Sequence, residues 1–160
     1  MPVGSTGYPG PEGTFRTTGP VGGRVTLVGT GIGRYRVAMA SITIWHNPNC
    51  SSSRAATDLA EELGVPVDVR KYLLKAERPT RDEFVALLGI LEDEPTTLVR
   101  RDATFKKLGL ADQDVASADQ VADVLAAHPE MTQRPVLITD GAAIIGRPKD
   151  RIEPFLVAHR

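Results

Sequence analysis

The chain has 160 residues, a net charge of −1 and a sequence pI near 6.3. The length suits one domain with a tail, and the charge balance gives no basic surplus for a nucleic-acid or membrane partner. There is no apolar run long enough to span a bilayer. A single cysteine excludes an internal disulfide and fits a reducing, cytoplasmic compartment.

Residues 1–40 differ from the rest. They hold most of the glycines, several prolines and one acidic residue, Glu12. Tyr8-Pro9-Gly10-Pro11-Glu12-Gly13 resists regular structure, so a disordered leader or an N-terminal extension is expected here. The segment lacks the basic and apolar regions of a secretory signal. Met39 stands directly before the first convincing strand and is a candidate natural start. Gly29-Thr30-Gly31-Ile32-Gly33-Arg34 imitates a dinucleotide-binding loop, but Arg34 stands where the third glycine belongs. No helical pattern follows it.

From Ser41 the pattern alternates. Ile42–Trp45 reads as a strand, rich in β-branched and aromatic residues. Ser51–Leu63 reads as a helix burying Ala55, Ala56, Leu59, Ala60 and Leu63, closed by Gly64. Val67 and Val69 mark a second strand. Thr80 and Glu83 form a capping box before a stripe of Phe84, Leu87, Leu88 and Leu91. Ser117 and Gln120 repeat that signal before Val121, Val124 and Leu125. Pro135–Thr139 and Ala142–Ile145 are strands joined at Asp140-Gly141, a two-residue hairpin signal. A last helix is expected near Pro148, with Pro154 kinking or shortening it. This is a βαβ half and a ββα half. The expected fold is α/β and thioredoxin-like, with residues 41–160 as the domain and a helical insertion over 80–128 between the halves.

Cys50 lies between the first strand and the first helix, in His46-Asn47-Pro48-Asn49-Cys50-Ser51-Ser52-Ser53-Arg54. A helix N-terminus offers unpaired N–H groups and partial positive charge, which stabilise a thiolate and can cradle an anion. His46 and Arg54 can add charge nearby. The plainer alternative is a buried, inert Cys. Counting excludes two other thiol chemistries. A phosphatase loop needs Arg at position 56, which is Ala, and a dithiol motif needs Cys at 53, which is Ser. An oxidised Cys50 must therefore be resolved by an outside thiol. One Cys and scattered His46, His128 and His159 offer no metal-ligand spacing.

The run His46-Asn47-Pro48-x-Cys50-x-x-Ser53-Arg54 resembles the glutaredoxin-dependent arsenate reductases. Leu98-Val99-Arg100, Leu108-Gly109-Leu110, His128-Pro129, Arg134-Pro135 and Gly146-Arg147-Pro148 match further motifs in order. The resemblance covers Ile42 to about Leu156. It implies Cys50 as nucleophile on arsenate, with His46 assisting. It assigns substrate binding to Arg100, Arg134 and Arg147, which hold the oxyanion, and to Ser53 and Arg54 in the loop. The interval from Arg100 to Leu108 is one residue shorter than the commonest pattern, which leaves Arg101 as the alternative to Arg100. Pro135 would be the cis-proline of the fold. The resemblance also implies no bound cofactor, glutathione or an equivalent thiol as co-substrate, and glutaredoxin as partner. No exposed apolar stripe demands another chain, so a monomer is expected. Two rival readings share the fold: a glutathione-dependent thiol reductase inactive on arsenate, and a regulator that binds RNA polymerase.

Overall fold

The structure is a computed structural model that describes residues 25–30, 34–39 and 41–160. The chain divides into two units, 1–40 and 41–160. In the first unit, β1 (Val25–Thr30) and β2 (Arg34–Met39) pair as an antiparallel hairpin. The glycine run that imitates a dinucleotide loop therefore leads into a strand, where that fingerprint requires a helix. The expectation of a disordered leader or extension covers residues 1–40; the described part of it pairs as strands, and the rest lies outside the described residues.

The second unit is built on a four-stranded sheet of order β4-β3-β5-β6. Its strands are β3 (Ile42–Trp45), β4 (Val67–Arg70), β5 (Val136–Ile138) and β6 (Ala143–Ile145). β3 runs parallel to β4 and antiparallel to β5, and β5 antiparallel to β6. The parallel pair needs a crossover, which α1 (Ser51–Glu62) supplies. Gly64 follows α1 at φ +65°, the left-handed position that closes a helix and favours glycine. This is the thioredoxin-like order, with β5 and β6 joined by the turn at Asp140-Gly141. The Thr139 hydroxyl accepts from the Ala142 N–H at 3.0 Å and helps close that turn.

The sheet separates two apolar layers, because successive strand residues point to opposite faces. Ile42, Ile44, Leu137 and Ile144 face α1 and α5 (Ile152–Ala158), meeting Ala56, Ala60, Ile152, Phe155 and Leu156. Trp45, Val136, Ala143 and Ile145 face the insertion. There α2 (Arg81–Ile90) and α4 (Ala118–Ala127) pack together, and both begin with the capping boxes read from the sequence. A short α3 (Ala103–Lys107), capped by Asp102, lies between them. The last helix begins at Ile152, later than expected near Pro148, after a 3-10 turn at Lys149–Arg151. Pro154 is its third residue, where a missing N–H leaves no intrahelical bond broken. Among the described residues, no helix is long and apolar enough to cross a membrane.

Gly146 ends β6 in a tight contact that bears on the site. A Cβ there would lie 2.8 Å from Pro135 Cγ, 3.1 Å from Ile152 Cγ1 and 3.2 Å from Leu137 Cδ1. A proline ring held in the core cannot move aside as a flexible side-chain tip would. Gly146→Ala is therefore expected to destabilise the domain by about 1–3 kcal/mol, the usual range for overpacking. A urea melt checks this, and an unchanged midpoint would refute it.

Candidate active site

The site grows from the loop between β3 and α1. The Asn47 side chain folds back onto the Asn49 N–H at 3.0 Å, and the Cys50 N–H donates to the Asn47 carbonyl at 3.0 Å. This turn places Cys50 at the N-cap of α1 in extended conformation (φ −106°, ψ 120°). The thiol makes no close capping bond, and the N–H groups of the first turn face the sulfur only loosely, which leaves it for chemistry.

Burial opposes ionisation of Cys50, yet the thiol pKa is held below its ordinary value. The backbone N–H of Ser53 lowers it most, followed by the Arg134 guanidinium and the N–H of Ser52. Hydrogen bonds to the charged form stabilise the thiolate, and at a helix start they arrive with the helix dipole. Arg147 Nη2 stands 3.9 Å from the sulfur.

His46 and Ser53 form the floor beneath this turn. His46 is buried, and its Nδ1 lies 2.9 Å from the Ser53 hydroxyl. That hydroxyl also accepts from the Asn47 N–H at 2.9 Å, so it ties the ring to the backbone of the turn. Burial lowers the His46 pKa, and the positive charges of Lys71 and Arg54 push the same way against Ser53 and Asp58. The ring is therefore neutral at pH 7. His46 thus stands against Ser53, and its lowered pKa favours the neutral ring over the positive charge that it could add. The Ser53 hydroxyl faces inward and is fully buried, so this residue offers the thiol its N–H. Arg54 is exposed on the outer face of α1, away from the donors that act on Cys50.

The arginines arrive from three later segments. Arg134 precedes Pro135 through a cis peptide bond, as does Arg147 before Pro148. The guanidinium of Arg134 acts on both Cys50 and Tyr72, lowering the pKa of each against burial, and its Nη1 donates to the Glu130 carbonyl at 3.2 Å. Its Nε is buried without a hydrogen-bond partner. Arg147 Nε donates to the Arg134 carbonyl at 3.0 Å, which ties the two loops together. Arg100 pairs with Asp102 at 3.1 Å and stands close enough to act on the Tyr72 hydroxyl. Arg101 points elsewhere. It binds Asp112 at 2.7 Å and Thr96 Oγ1 at 2.6 Å, and lies over the Phe105 ring. That side chain fastens α3, which leaves Arg100 as the arginine on the site side.

Three residues were missed in the sequence. Tyr72 is fully buried next to Arg134 and stacked on Trp45. Asp93 and Arg151 form an ion pair at 2.6 Å that also holds β6: Asp93 accepts from the Ile145 N–H at 2.9 Å, and Arg151 donates to the carbonyls of Ile145 and Arg147. This pair buttresses the backbone that presents Arg147. Among the described residues no group of three His, Cys, Asp or Glu side chains could hold a metal ion.

Fold and site together define a thioredoxin-like protein with one activated thiol at a helix start, flanked by arginines. The ArsC family profile matches residues 45–155. An arsenate reductase of Neisseria meningitidis serogroup A is 35% identical over 119 residues, covering 74% of this chain and all of that protein. An arsenate reductase of Escherichia coli is 32% identical over 119 residues, 74% of this chain and 82% of its own length. The solved structure of the arsenate reductase from Vibrio cholerae superimposes with a TM-score of 0.61 at 33% identity, covering 72% of this chain and 97% of that one. The chain belongs to the ArsC family.

Proposed function

We propose that this protein reduces arsenate to arsenite with Cys50 as nucleophile and glutathione with glutaredoxin as electron donor. The observation that carries this reading is the activated thiol with Arg134 and Arg147 converging on it. Arsenate is a phosphate-like dianion, and guanidinium forks suit its oxygens. The thiolate attacks arsenic, a sulfur–arsenic bond forms, and one arsenate oxygen leaves as water after protonation. The arginines hold the charge that develops on the remaining oxygens, and their placement before substrate arrives is what lowers the barrier. Glutathione then attacks the Cys50 sulfur. A disulfide forms, the sulfur–arsenic bond breaks, and its electron pair reduces As(V) to As(III), which leaves as arsenite. Glutaredoxin attacks the glutathione sulfur of the mixed disulfide and releases Cys50 as thiolate. The single cysteine supports an external donor, since no second thiol in the chain can resolve the adduct.

The test is arsenate-dependent NADPH oxidation, coupled through glutathione, glutaredoxin and glutathione reductase, with thioredoxin and thioredoxin reductase as the parallel arm. Turnover in the glutaredoxin arm alone is the expected result. Turnover through thioredoxin alone would keep arsenate and replace the donor. No turnover in either arm would favour a thiol reductase of this fold acting on another substrate.

A further inference from the structure

We propose that Asp93 is a positioning residue of this site: through its ion pair with Arg151 it fixes the backbone at Arg147 and so aims the Arg147 guanidinium at Cys50. The segment that carries Asp93 comes from the helical insertion and runs along the edge of β6. Leu91 bridges Ala143 in parallel, and the Glu92 N–H donates to the Ala143 carbonyl at 2.9 Å. In a continuing parallel ladder the Ile145 N–H would bond the next backbone carbonyl. The Asp93 carboxylate takes it instead, Oδ2 accepting at 2.9 Å. Its other oxygen, Oδ1, accepts from Arg151 Nη1 at 2.6 Å.

Closing the sheet edge needs only Oδ2, so edge closure does not account for the second oxygen. Arg151 Nη1 reaches onward to the carbonyls of Ile145 at 3.2 Å and Arg147 at 3.3 Å. The Arg147 N–H donates to that same Ile145 carbonyl at 2.7 Å. One guanidinium thus gathers both sides of the Arg147 backbone, where sheet pairing runs out. The Gly146 N–H still donates to the Pro135 carbonyl at 2.8 Å, and beyond it the chain leaves β6. From this fixed backbone the Arg147 side chain makes two contacts. Nε donates to the Arg134 carbonyl at 3.0 Å, and Nη2 stands 3.9 Å from the Cys50 sulfur, where a cation favours the thiolate. The Asp93 and Arg151 side chains are 20% and 30% exposed, so this is not a freely solvated surface pair of the kind that contributes little. Without the carboxylate, Arg151 would keep only carbonyl partners, and the Arg147 backbone would lose its outer anchor.

That Arg147 also holds an oxyanion rests on the proposed function, and the experiment separates the two. Cys50 is the only cysteine, so iodoacetamide reads this thiol alone. One readout is the pH midpoint of alkylation without substrate, and the other is the arsenate concentration that half-protects the thiol. Asp93→Asn keeps an acceptor for the Ile145 N–H and removes the charge that holds Arg151. It is expected to raise the half-protecting concentration about threefold, toward the low end of coupling within one hydrogen-bond network. The alkylation midpoint is expected to rise by about 0.3 pH unit, roughly twofold in thiolate fraction on the acid side. Arg151→Gln, which breaks the pair from its other end, is expected to match it. In an Arg147→Ala background neither substitution is expected to move either readout, because the group they act through is gone. The same rise in both backgrounds would mean general loosening of β6 and would overturn the proposal, as would no rise in either readout. If arsenate does not protect the wild-type thiol, the oxyanion reading fails, and the alkylation midpoints still decide whether Asp93 acts through Arg147.

Discussion

Cys50→Ser is expected to abolish arsenate turnover and leave the fold slightly more stable. The two effects share one cause. Cys50 occupies the N-cap of α1 with extended dihedrals, and its large sulfur makes no close capping bond to the N–H groups of Ser52 and Ser53 that act on it. Serine is a preferred N-cap, and caps of that kind contribute about 1 kcal/mol. The native residue therefore gives up helix stability to keep a thiol where the helix start can ionise it, the kind of local compromise found at functional sites. A serine hydroxyl there stays protonated under the same donors and forms no sulfur–arsenic bond. Loss of a nucleophile that works as a unit with its surroundings costs on the order of 10⁴- to 10⁶-fold in rate. The coupled assay and a thermal melt, run on the same preparation, check both halves. Residual turnover above a few per cent would remove Cys50 from the mechanism. A lower melting midpoint would show that its side chain holds the turn together.

The thiol's titration adds a pH dependence. Burial raises the Cys50 pKa, but the N–H groups of Ser53 and Ser52 and the Arg134 charge outweigh it, and the net shift is downward. The thiolate is thus present at pH values where an ordinary cysteine is protonated, and activity should fall on the acid side as the lowered thiol is protonated. The His46 pKa is also lowered by burial, so any limb it contributes lies on the acid side of an ordinary histidine's.

What could be read from sequence was mostly what local spacing determines. The capping boxes at Thr80 and Ser117, the closing Gly64 and the Cys50 loop are signals contained within a few residues, and each appears where it was expected. The helical insertion was visible as a surplus of chain between the halves. Its internal order was not: α3 spans five residues and is held by a single Asp102 cap and by Arg101 on Phe105, too short for periodicity to show. Tyr72 escaped because it lies in a turn beyond β4, the hydroxyl's contact lies 60 positions away, at Thr132, and its ring partner Trp45 lies on β3. Asp93 and Arg151 are 58 positions apart and belong to no motif. The charge state of His46 is hard to read for the same reason. A histidine near a strand end can be charged or neutral, and only its burial and the Ser53 partner decide which.

Among the arginines, Arg134→Ala is expected to have the largest effect, a loss of about 10²- to 10³-fold in kcat/KM for arsenate, the range seen when one donor to a developing oxyanion is removed. Arg134 acts on the thiol and, through the proposed chemistry, on the substrate. It lowers the Cys50 pKa both by hydrogen bond and by charge, so its removal should raise the thiol pKa as well as weaken oxyanion binding. Arg147 reaches the sulfur at 3.9 Å and spends its Nε on the Arg134 carbonyl, so Arg147→Ala should cost less and act partly by loosening Arg134. Arg100 is already partly neutralised by Asp102 at 3.1 Å and should matter least to the thiol. Arg134→Lys separates charge from shape. An ammonium restores the electrostatic effect on Cys50 but not the planar fork of donors that suits the arsenate oxygens. It should recover most of the thiol pKa and only a minor share of kcat/KM. Steady-state kinetics beside alkylation profiles for the four variants check the order. Equal losses for Arg134→Ala and Arg100→Ala would mean that oxyanion charge alone sets the rate, and that the contact between Arg134 and the sulfur is incidental.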